Sequence, residues 1–286
     1  MIRSISKLPL LVLLLASCEG PGVAPAEQHN TTLCFRATNA DTKGTSSDLA
    51  AYFSKLNIML FDADGNKVFD KVRTQMSGDD DFGSVSLQLA VGTYTVVAVG
   101  HSSINSATIK SPQMVQFTAS NGEKLTDTFC YCGKIEVGDE PRRHNLTMHR
   151  VAAMLRFVFT DTDIPAGFSR LKIDYTGGSA NFNPSTMEGT TKSTQSETRQ
   201  RNDTQTYEVF TFPYLSDAGT LRVTVSALDE QGVVLVQRTF EAITVNRNRI
   251  TTYAGQFFGG GGGTVTQTGF GFVVDGDWAG EDHFTF

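Results

Sequence analysis

The stretch Thr93-Tyr-Thr-Val-Val-Ala-Val99 is the clearest indication of the fold. Six of its seven residues are β-branched or aromatic, and such residues pack well on the pleated surface of a sheet. Val91-Gly92 comes directly before this stretch and supplies a turn, and an alternating apolar run at 84–89 comes before the turn. We therefore predict two strands here, joined by a short connection.

The same succession of short apolar runs and turn residues continues in both directions along the 286-residue chain. The sequence Asp62-Ala-Asp-Gly-Asn66 predicts a hairpin turn and not a calcium loop, because Arg73 stands where such a loop needs an oxygen ligand. Many short strands separated by turns predict an all-β sandwich or barrel. The predicted strands lie at 31–38, 56–61, 67–73, 84–89, 93–99, 129–137, 146–159, 171–175, 207–212, 221–228, 233–240, 250–258 and 270–274.

The length of the chain and the number of strands predict two β-sandwich domains in tandem. Residues 48–55 are compatible with a short helix. Residues 186–206 are rich in Thr, Ser, Gln and Arg without an apolar face, so we expect a long exposed loop there. The predicted organisation is a signal peptide at 1–17, a flexible tether at 18–30, an N-terminal sandwich at 31–150, a C-terminal sandwich at 151–258, and a Gly hinge with a terminal strand at 259–286.

The first eighteen residues have the parts of a bacterial lipoprotein signal. Arg3 and Lys7 precede an apolar run at 8–15, and Leu15-Ala-Ser-Cys18 resembles a lipobox, in which cleavage falls before the cysteine. The run is too short for a membrane span, which needs about 20 apolar residues. We therefore predict that Cys18 carries lipid, and the alternative is an ordinary signal peptide that contains a cysteine.

Composition and motifs exclude several functions. The formal net charge is −6, whereas binding to nucleic acid needs clustered Lys and Arg, so no nucleic-acid partner is expected. No coherent set of acid, base and nucleophile is present, and no histidine pair has metal-ligand spacing, so we predict no enzyme activity, no metal and no cofactor. The pairing of Cys34, Cys130 and Cys132 stays open, because one bridge to Cys34 and three small core residues both fit.

The end of the chain has a distinctive pattern. Five consecutive glycines, Gly259–Gly263, act as a flexible hinge in the sequence. Beyond them Phe270, Phe272 and Val274 alternate as they would on one face of a strand. Such a strand either adds to the sheet of another protein or is the last strand of its own domain.

Five segments together resemble the fimbrillin and fimbrial-anchor lipoproteins of Bacteroidales. This resemblance implies two transthyretin-like β-sandwiches, acylation that includes palmitate, and a place in a pilus where subunits join by strand exchange. Stalk subunits of that family are cut at a basic residue near the first strand, which makes Arg36 and Lys43 the candidate processing sites. The segments are Leu15–Cys18, Phe61-Asp-Ala-Asp-Gly-Asn-Lys-Val68, Leu89-Ala-Val-Gly-Thr-Tyr-Thr-Val96, Leu146-Thr-Met-His-Arg-Val-Ala152 and Asn248-Arg-Ile-Thr-Thr-Tyr-Ala-Gly255.

The sequence and this resemblance lead to one functional hypothesis. We expect a non-enzymatic fimbrial anchor or accessory subunit, held to the cell outer membrane through lipid on Cys18 and active in cell adhesion. Its expected partners are other fimbrial subunits, reached through Phe270, Phe272 and Val274. The alternative is a surface lipoprotein that binds glycan or peptide, although one Trp and seven Tyr without visible clustering argue mildly against it.

Overall fold

A computed structural model of the chain describes residues 27–38, 45–46, 48–118, 125–214, 220–259, 263–265, 268–273 and 278–286. Cys18, Lys43 and Val274, which carry three of the sequence predictions, lie outside these ranges. Within the ranges, regular structure consists of strands apart from one 3-10 turn at Leu49–Ala51. The predicted all-β class is therefore confirmed, whereas the transthyretin-like strand order stays a prediction.

In the described ranges, ten strands precede residue 151 and twelve follow it. The first ten are β1 Gln28–Thr38, β2 Thr45–Ser46, β3 Lys55–Phe61, β4 Arg73–Met76, β5 Ser84–Ala90, β6 Gly92–His101, β7 Thr108–Ser111, β8 Met114–Gln116, β9 Phe129–Val137 and β10 Arg142–Arg150. The others are β11 Ala153–Phe159, β12 Arg170–Thr176, β13 Asn181–Asn183, β14 Glu188–Gly189, β15 Gln195–Gln200, β16 Thr206–Thr211, β17 Thr220–Leu228, β18 Val234–Thr244, β19 Ile250–Gly255, β20 Gly263–Val265, β21 Thr268–Val273 and β22 Glu281–Thr285.

Four sheets result from these strands. The first half forms an eight-stranded sheet in the order β2-β1-β10-β9-β6-β3-β4, with β5 paired to β1. The second half forms two five-stranded sheets, β16-β11-β19-β22-β21 and β15-β12-β17-β18-β20. The fourth sheet, β14-β13-β8-β7, takes two strands from each half. The terminal strands β20, β21 and β22 thus belong to the sheets of the second half.

The hydrophobic side chains separate into one core in each half and a third core between them. The core of the first half includes Leu33 and Leu60, and that of the second includes Phe157 and Val223, all at most 1% exposed. The third core joins the halves. Its aromatic rings include Phe117, Phe182 and Phe212, with centroid distances of 5.6 Å for Phe117–Phe212 and 4.7 Å for Phe182–Phe212. The halves therefore share buried surface, and the predicted division at residue 150 stays a prediction.

Three details of the sequence prediction differ from the structure. The segment 186–206 is not one exposed loop, because it contains β14 and β15. Its strand was missed because Glu197 is polar yet only 1% exposed, and Arg199 neutralises it at 3.0 Å. Strand β1 begins at Gln28, inside the predicted tether.

The predicted hairpin after β3 is shorter than expected. The turn itself is present: the Asp62 carboxylate accepts the backbone N–H groups of Asp64 and Asn66, at 3.0 and 2.8 Å. The hydrogen bond from the backbone N–H of Asn66 is the main cause that holds the pKa of Asp62 below its usual value, and the other hydrogen bonds act in the same direction. Beyond the turn, only a bridge between Phe61 and Lys67 forms, and strand pairing resumes at β4.

Asp161 fixes the point from which the glycine run leaves the second half. Asp161 is 7% exposed, and its carboxylate accepts three successive backbone N–H groups, from Phe257 at 2.6 Å, Phe258 at 2.9 Å and Gly259 at 3.0 Å. Three hydrogen bonds to one carboxylate fix the path of the backbone at these three residues. The chain therefore leaves β19 at a defined position before it crosses to β20.

A buried histidine lies at the end of β6. The Nδ1 atom of His101 accepts the N–H of Ser103 at 3.0 Å, so Nε2 carries the proton and donates to Asn57 Oδ1 at 2.8 Å. Burial, with a smaller contribution from the charge of Lys55, lowers the pKa of His101 to about 3. The neutral imidazole is thus part of the folded structure.

This histidine predicts a loss of stability in mild acid. The folded state binds its proton only near pH 3, whereas the unfolded state binds it near the ordinary pKa of about 6.5. Stability is therefore complete above about pH 6.5 and falls by about 1 kcal/mol per pH unit below it. Urea unfolding between pH 7 and 5 measures the slope. His101→Gln should flatten it, and an equal slope in both proteins would contradict the assignment.

Candidate strand-exchange site

Strand β1 occupies a groove in the first sheet. It pairs with β10 in parallel over Thr31–Ala37 and with β5 in antiparallel over Gln28–Cys34. Leu33 and Phe35 point into the core and are 0% and 3% exposed. Each contributes about 1.5–3 kcal/mol through burial. If β1 left the sheet, an apolar groove between β5 and β10 would open.

Arg36, a predicted processing site, lies inside β1. Its side chain is exposed, but its backbone is aligned with Thr147 of β10, and the preceding residue Phe35 donates its N–H to Gly83 O at 2.8 Å. A protease needs the backbone on both sides of the cleaved bond in an accessible extended form. The structure therefore protects the bond after Arg36 as long as β1 stays in the sheet.

The terminal strands close one side of the second half. Strand β22 lies between β19, to which it is parallel, and β21, to which it is antiparallel. Phe270 and Phe272 both lie in β21, where Phe272 is aligned with Asp282 and the register shifts by one residue between Thr268 and Gly271. In this conformation the predicted donor strand is part of its own domain and forms the edge of its sheet.

Arg150 joins the two halves to the terminal segment. Its side chain is 2% exposed, and its guanidinium donates to Asp127 through Nε at 2.8 Å and through Nη2 at 2.9 Å. Nη1 donates to Asn248 Oδ1 at 3.0 Å. The guanidinium also lies between two rings, 4.7 Å from the centroid of Phe129 and 4.0 Å from that of Trp278. Burial raises the pKa of Asp127, and the charge of Arg150 opposes that rise.

The two edges of the sheet that contains β21 differ. The opposite edge is β16, in which every second carbonyl points away from β11. Three of these carbonyls in succession accept hydrogen bonds from side chains. Side-chain donors on an edge prevent another strand from pairing with it. The hydrogen bonds are Asn202 Nδ2 to Thr206 O at 2.9 Å, Arg199 Nε to Glu208 O at 2.9 Å and Tyr175 OH to Phe210 O at 2.7 Å.

An open cleft of about 580 Å³ runs along this blocked edge, between loops of the first half and strands β15 and β16. Its polar lining includes Arg199 and Asn202, whose hydrogen bonds to the β16 backbone account for their positions. Among the described residues no group of three His, Cys, Asp or Glu side chains is placed to hold a metal ion. No helix in the described part of the chain is long and apolar enough to cross a membrane.

The described cysteines are thiols. Cys34 and Cys130 are buried and Cys132 is half-buried, and none of the three is in a disulfide. Burial raises the pKa of Cys130 and of Cys132, so neither is activated as a nucleophile. The alternative of a bridge from Cys34 is therefore not realised in this structure.

The layered β-sheets and the hydrophobic cores between them define a protein of the all-β sandwich class. The family model of the fimbrillin-A associated anchor proteins Mfa1 and Mfa2 matches residues 17–279, and the chain belongs to this family. It is therefore a non-enzymatic protein of fimbriae at the cell surface, where it associates with other fimbrial subunits. The resemblance found in the sequence is confirmed. A search of curated proteins gave no significant match.

Two solved structures of low sequence identity have a similar fold. One, provisionally described as a polysaccharide-binding protein of Bacteroides thetaiotaomicron, is 11% identical with a TM-score of 0.50, over 73% of this chain and 79% of that one. Another, provisionally described as an adhesin of Bacteroides ovatus, is 12% identical with a TM-score of 0.50, over 73% and 75%. The fimbrial anchor protein Mfa2 of Porphyromonas gingivalis is 15% identical with a TM-score of 0.44, over 73% and 81%.

If the side-chain donors along β16 prevent strand pairing, removal of these donors should cause self-association. The double variant Tyr175→Phe with Asn202→Leu leaves the carbonyls of Phe210 and Thr206 without donors. Each lost hydrogen bond should lower the free energy of unfolding by about 1 kcal/mol. Light scattering after size exclusion should show a dimer whose fraction rises with concentration.

A matched control uses the same two chemical changes away from β16, at Tyr131 in β9 and Asn145 in β10. Tyr131→Phe with Asn145→Leu should stay monomeric. Monomers at every concentration for both double variants would show that the side chains on β16 do not protect an edge.

Proposed function

We propose that the protein is a lipid-anchored fimbrial anchor or accessory subunit, joined to its neighbours by strand exchange. Lipid on Cys18 would hold it to the outer membrane, and the segment beyond the glycine run would pair with the next subunit. The observation that carries this proposal is the extent of the family match, because residues 17–279 include both Cys18 and all of β21.

The geometry of the sheet supports β21 as the pairing strand. Side chains block the β16 edge of the same sheet, whereas β21 forms its other edge and pairs only with β22 among the described strands. Unpaired N–H and C=O groups along an edge strand are what an incoming strand needs. Phe270 and Phe272 of β21, followed in the sequence by Val274, supply the apolar residues that the pairing would use.

The protection of the bond after Arg36 supports the anchor in preference to a stalk subunit. A stalk subunit would lose its first strand so that the groove between β5 and β10 could accept a neighbour. Here β1 contributes the buried side chains of Leu33 and Phe35 to that groove. A chain that keeps β1 can donate a strand but does not offer this groove.

The proposed lipid anchor predicts a specific N-terminus for the mature protein. Protein purified from outer membranes should begin at an acylated Cys18, and cells fed an alkyne analogue of palmitate should label it. Cys18→Ser should abolish the label and release the protein from the membrane fraction, because burial of acyl chains, about 0.8 kcal/mol per methylene, is lost. The control Cys132→Ser should keep the label. An unlipidated N-terminus after Arg36 or Lys43 would contradict the proposal.

Strand exchange through β21 predicts a contact that can be trapped. A deletion of residues 264–286 is a poor test, because it also removes Trp278 and Phe284, which are 5% and 8% exposed within the folded body. We would place the photo-crosslinking residue p-benzoylphenylalanine at Phe272 instead. Irradiated cells should give a covalent adduct with another fimbrial subunit.

The matched control for this experiment is the same residue at Val91, which is 54% exposed and lies between β5 and β6 in the first half. Position 91 should give no such adduct. If neither position, or both positions equally, crosslinked to a fimbrial subunit, β21 would not be the pairing strand.

A further inference from the structure

The terminal segment 278–286 packs into a site on the rest of the chain. This site is called the seat, and the rest of the chain is called the body. Trp278, Glu281 and Phe284 are 5%, 5% and 8% exposed. The ring of Phe284 stacks on Tyr253 of β19 with a centroid distance of 5.0 Å. Strand β22 adds five aligned residues to β19, from Glu281 opposite Ile250 to Thr285 opposite Ala254. The segment is therefore bound as a ligand would be, through side chains as well as backbone.

Three arginines of the body recognise this segment. Arg156 Nη1 lies 3.1 Å from Glu281 Oε1, and Arg249 Nη2 lies 2.7 Å from Asp282 Oδ1. Arg150 is the third, with its guanidinium 4.0 Å from the centroid of Trp278. Thr252 adds a hydrogen bond to Glu281. Each contact pairs one residue of the body with one residue of the segment.

These contacts are selective for one sequence and one register. A buried ion pair adds little net stability compared with an apolar pair, but a mismatch that leaves one charge unpaired is strongly unfavourable. A shift of β22 by two residues along β19 would leave Glu281 away from Arg156 and Asp282 away from Arg249. A segment that fits the seat therefore needs carboxylates at the positions of Glu281 and Asp282. It also needs an aromatic residue at the position of Phe284.

A second copy of this chain carries that sequence. In the chain, the five glycines Gly259–Gly263 follow β19, and β20 and β21 lie between them and the segment. Glycine places few restrictions on the path of the backbone, so the part of the chain that begins at this run can take another route. Exchange of identical elements between protomers reproduces every contact and changes only the connection. A segment tethered to its own chain has an effective concentration of about 1 mM at its own seat. The monomer in which each segment binds its own seat therefore dominates in dilute solution. Crowding on a surface favours exchange.

We propose that the seat formed by β19 and Arg150, Arg156 and Arg249 also accepts residues 278–286 of a second copy, giving a dimer with reciprocally exchanged tails. This goes beyond the proposed function, because the partner is a second copy and not another fimbrial subunit. The crosslink from position 272 tests the fimbrial partner, so either idea can fail alone.

Charge reversal with complementation tests the exchange. Arg249→Asp and Asp282→Arg each place like charges in the seat of a single chain, whereas a mixture of the two variants restores opposite charges in both seats of an exchanged dimer. Trp278 is the one tryptophan of the chain, so its emission reports whether the segment is seated. Each variant alone should be a monomer with red-shifted emission. The mixture should recover the wild-type emission and show the mass of a heterodimer by native mass spectrometry.

The double variant Arg249→Asp with Asp282→Arg is the control, because it restores the pair within one chain. It should remain a monomer with wild-type emission. A mixture of the single variants that stays monomeric would overturn the proposal. As a test without variants, ¹⁵N-labelled and unlabelled wild-type protein should form mixed dimers after concentration to about 1 mM, the effective concentration of the tethered segment. Monomers alone in that sample would overturn the proposal equally.

Discussion

The packing of the protein converges on the guanidinium of Arg150. This one buried group contacts Asp127 and Phe129 of the first half, Asn248 of the second half and Trp278 of the terminal segment. An arginine is suited to this position because its planar group donates in several directions in its plane and stacks on aromatic rings above and below it. Arg150, at the end of β10, therefore links three parts of the chain, and the core around Phe117, Phe182 and Phe212 joins the two halves as well.

The edges of the sheets determine how such a protein can assemble. Strand β16 would be an open edge, yet donors from Asn202, Arg199 and Tyr175 occupy its outward carbonyls. Strand β21 forms the other end of the same sheet. A sheet with one blocked edge and a different strand at its other edge has a direction, which the proposed strand pairing would require. In the first half, β1 closes the groove between β5 and β10, and the side chains of Leu33 and Phe35 are buried in it.

Much of the strand content was predictable, because β-branched and aromatic residues cluster between turn residues. The runs at 93–99 and 221–228 became β6 and β17, and Asp62 formed the turn that the sequence indicated. Polar strands were missed. Strand β15 alternates buried and exposed residues as any strand does, but its buried Gln195 and Glu197 hide the pattern from a reading of hydrophobicity. Arg199, two residues further along on the same face of β15, pairs with Glu197 and makes this burial favourable.

The sequence by itself determined the all-β class, the lipobox at Cys18 as a prediction, and membership of the anchor family, since all three depend on residue types in a local order. The tertiary structure decided which strands are edges, which carbonyls are blocked and where the terminal segment sits. These depend on contacts between distant residues, such as Arg156 with Glu281 and Arg150 with Trp278. Pairing of that kind follows from packing in three dimensions, because no short stretch of sequence contains both partners.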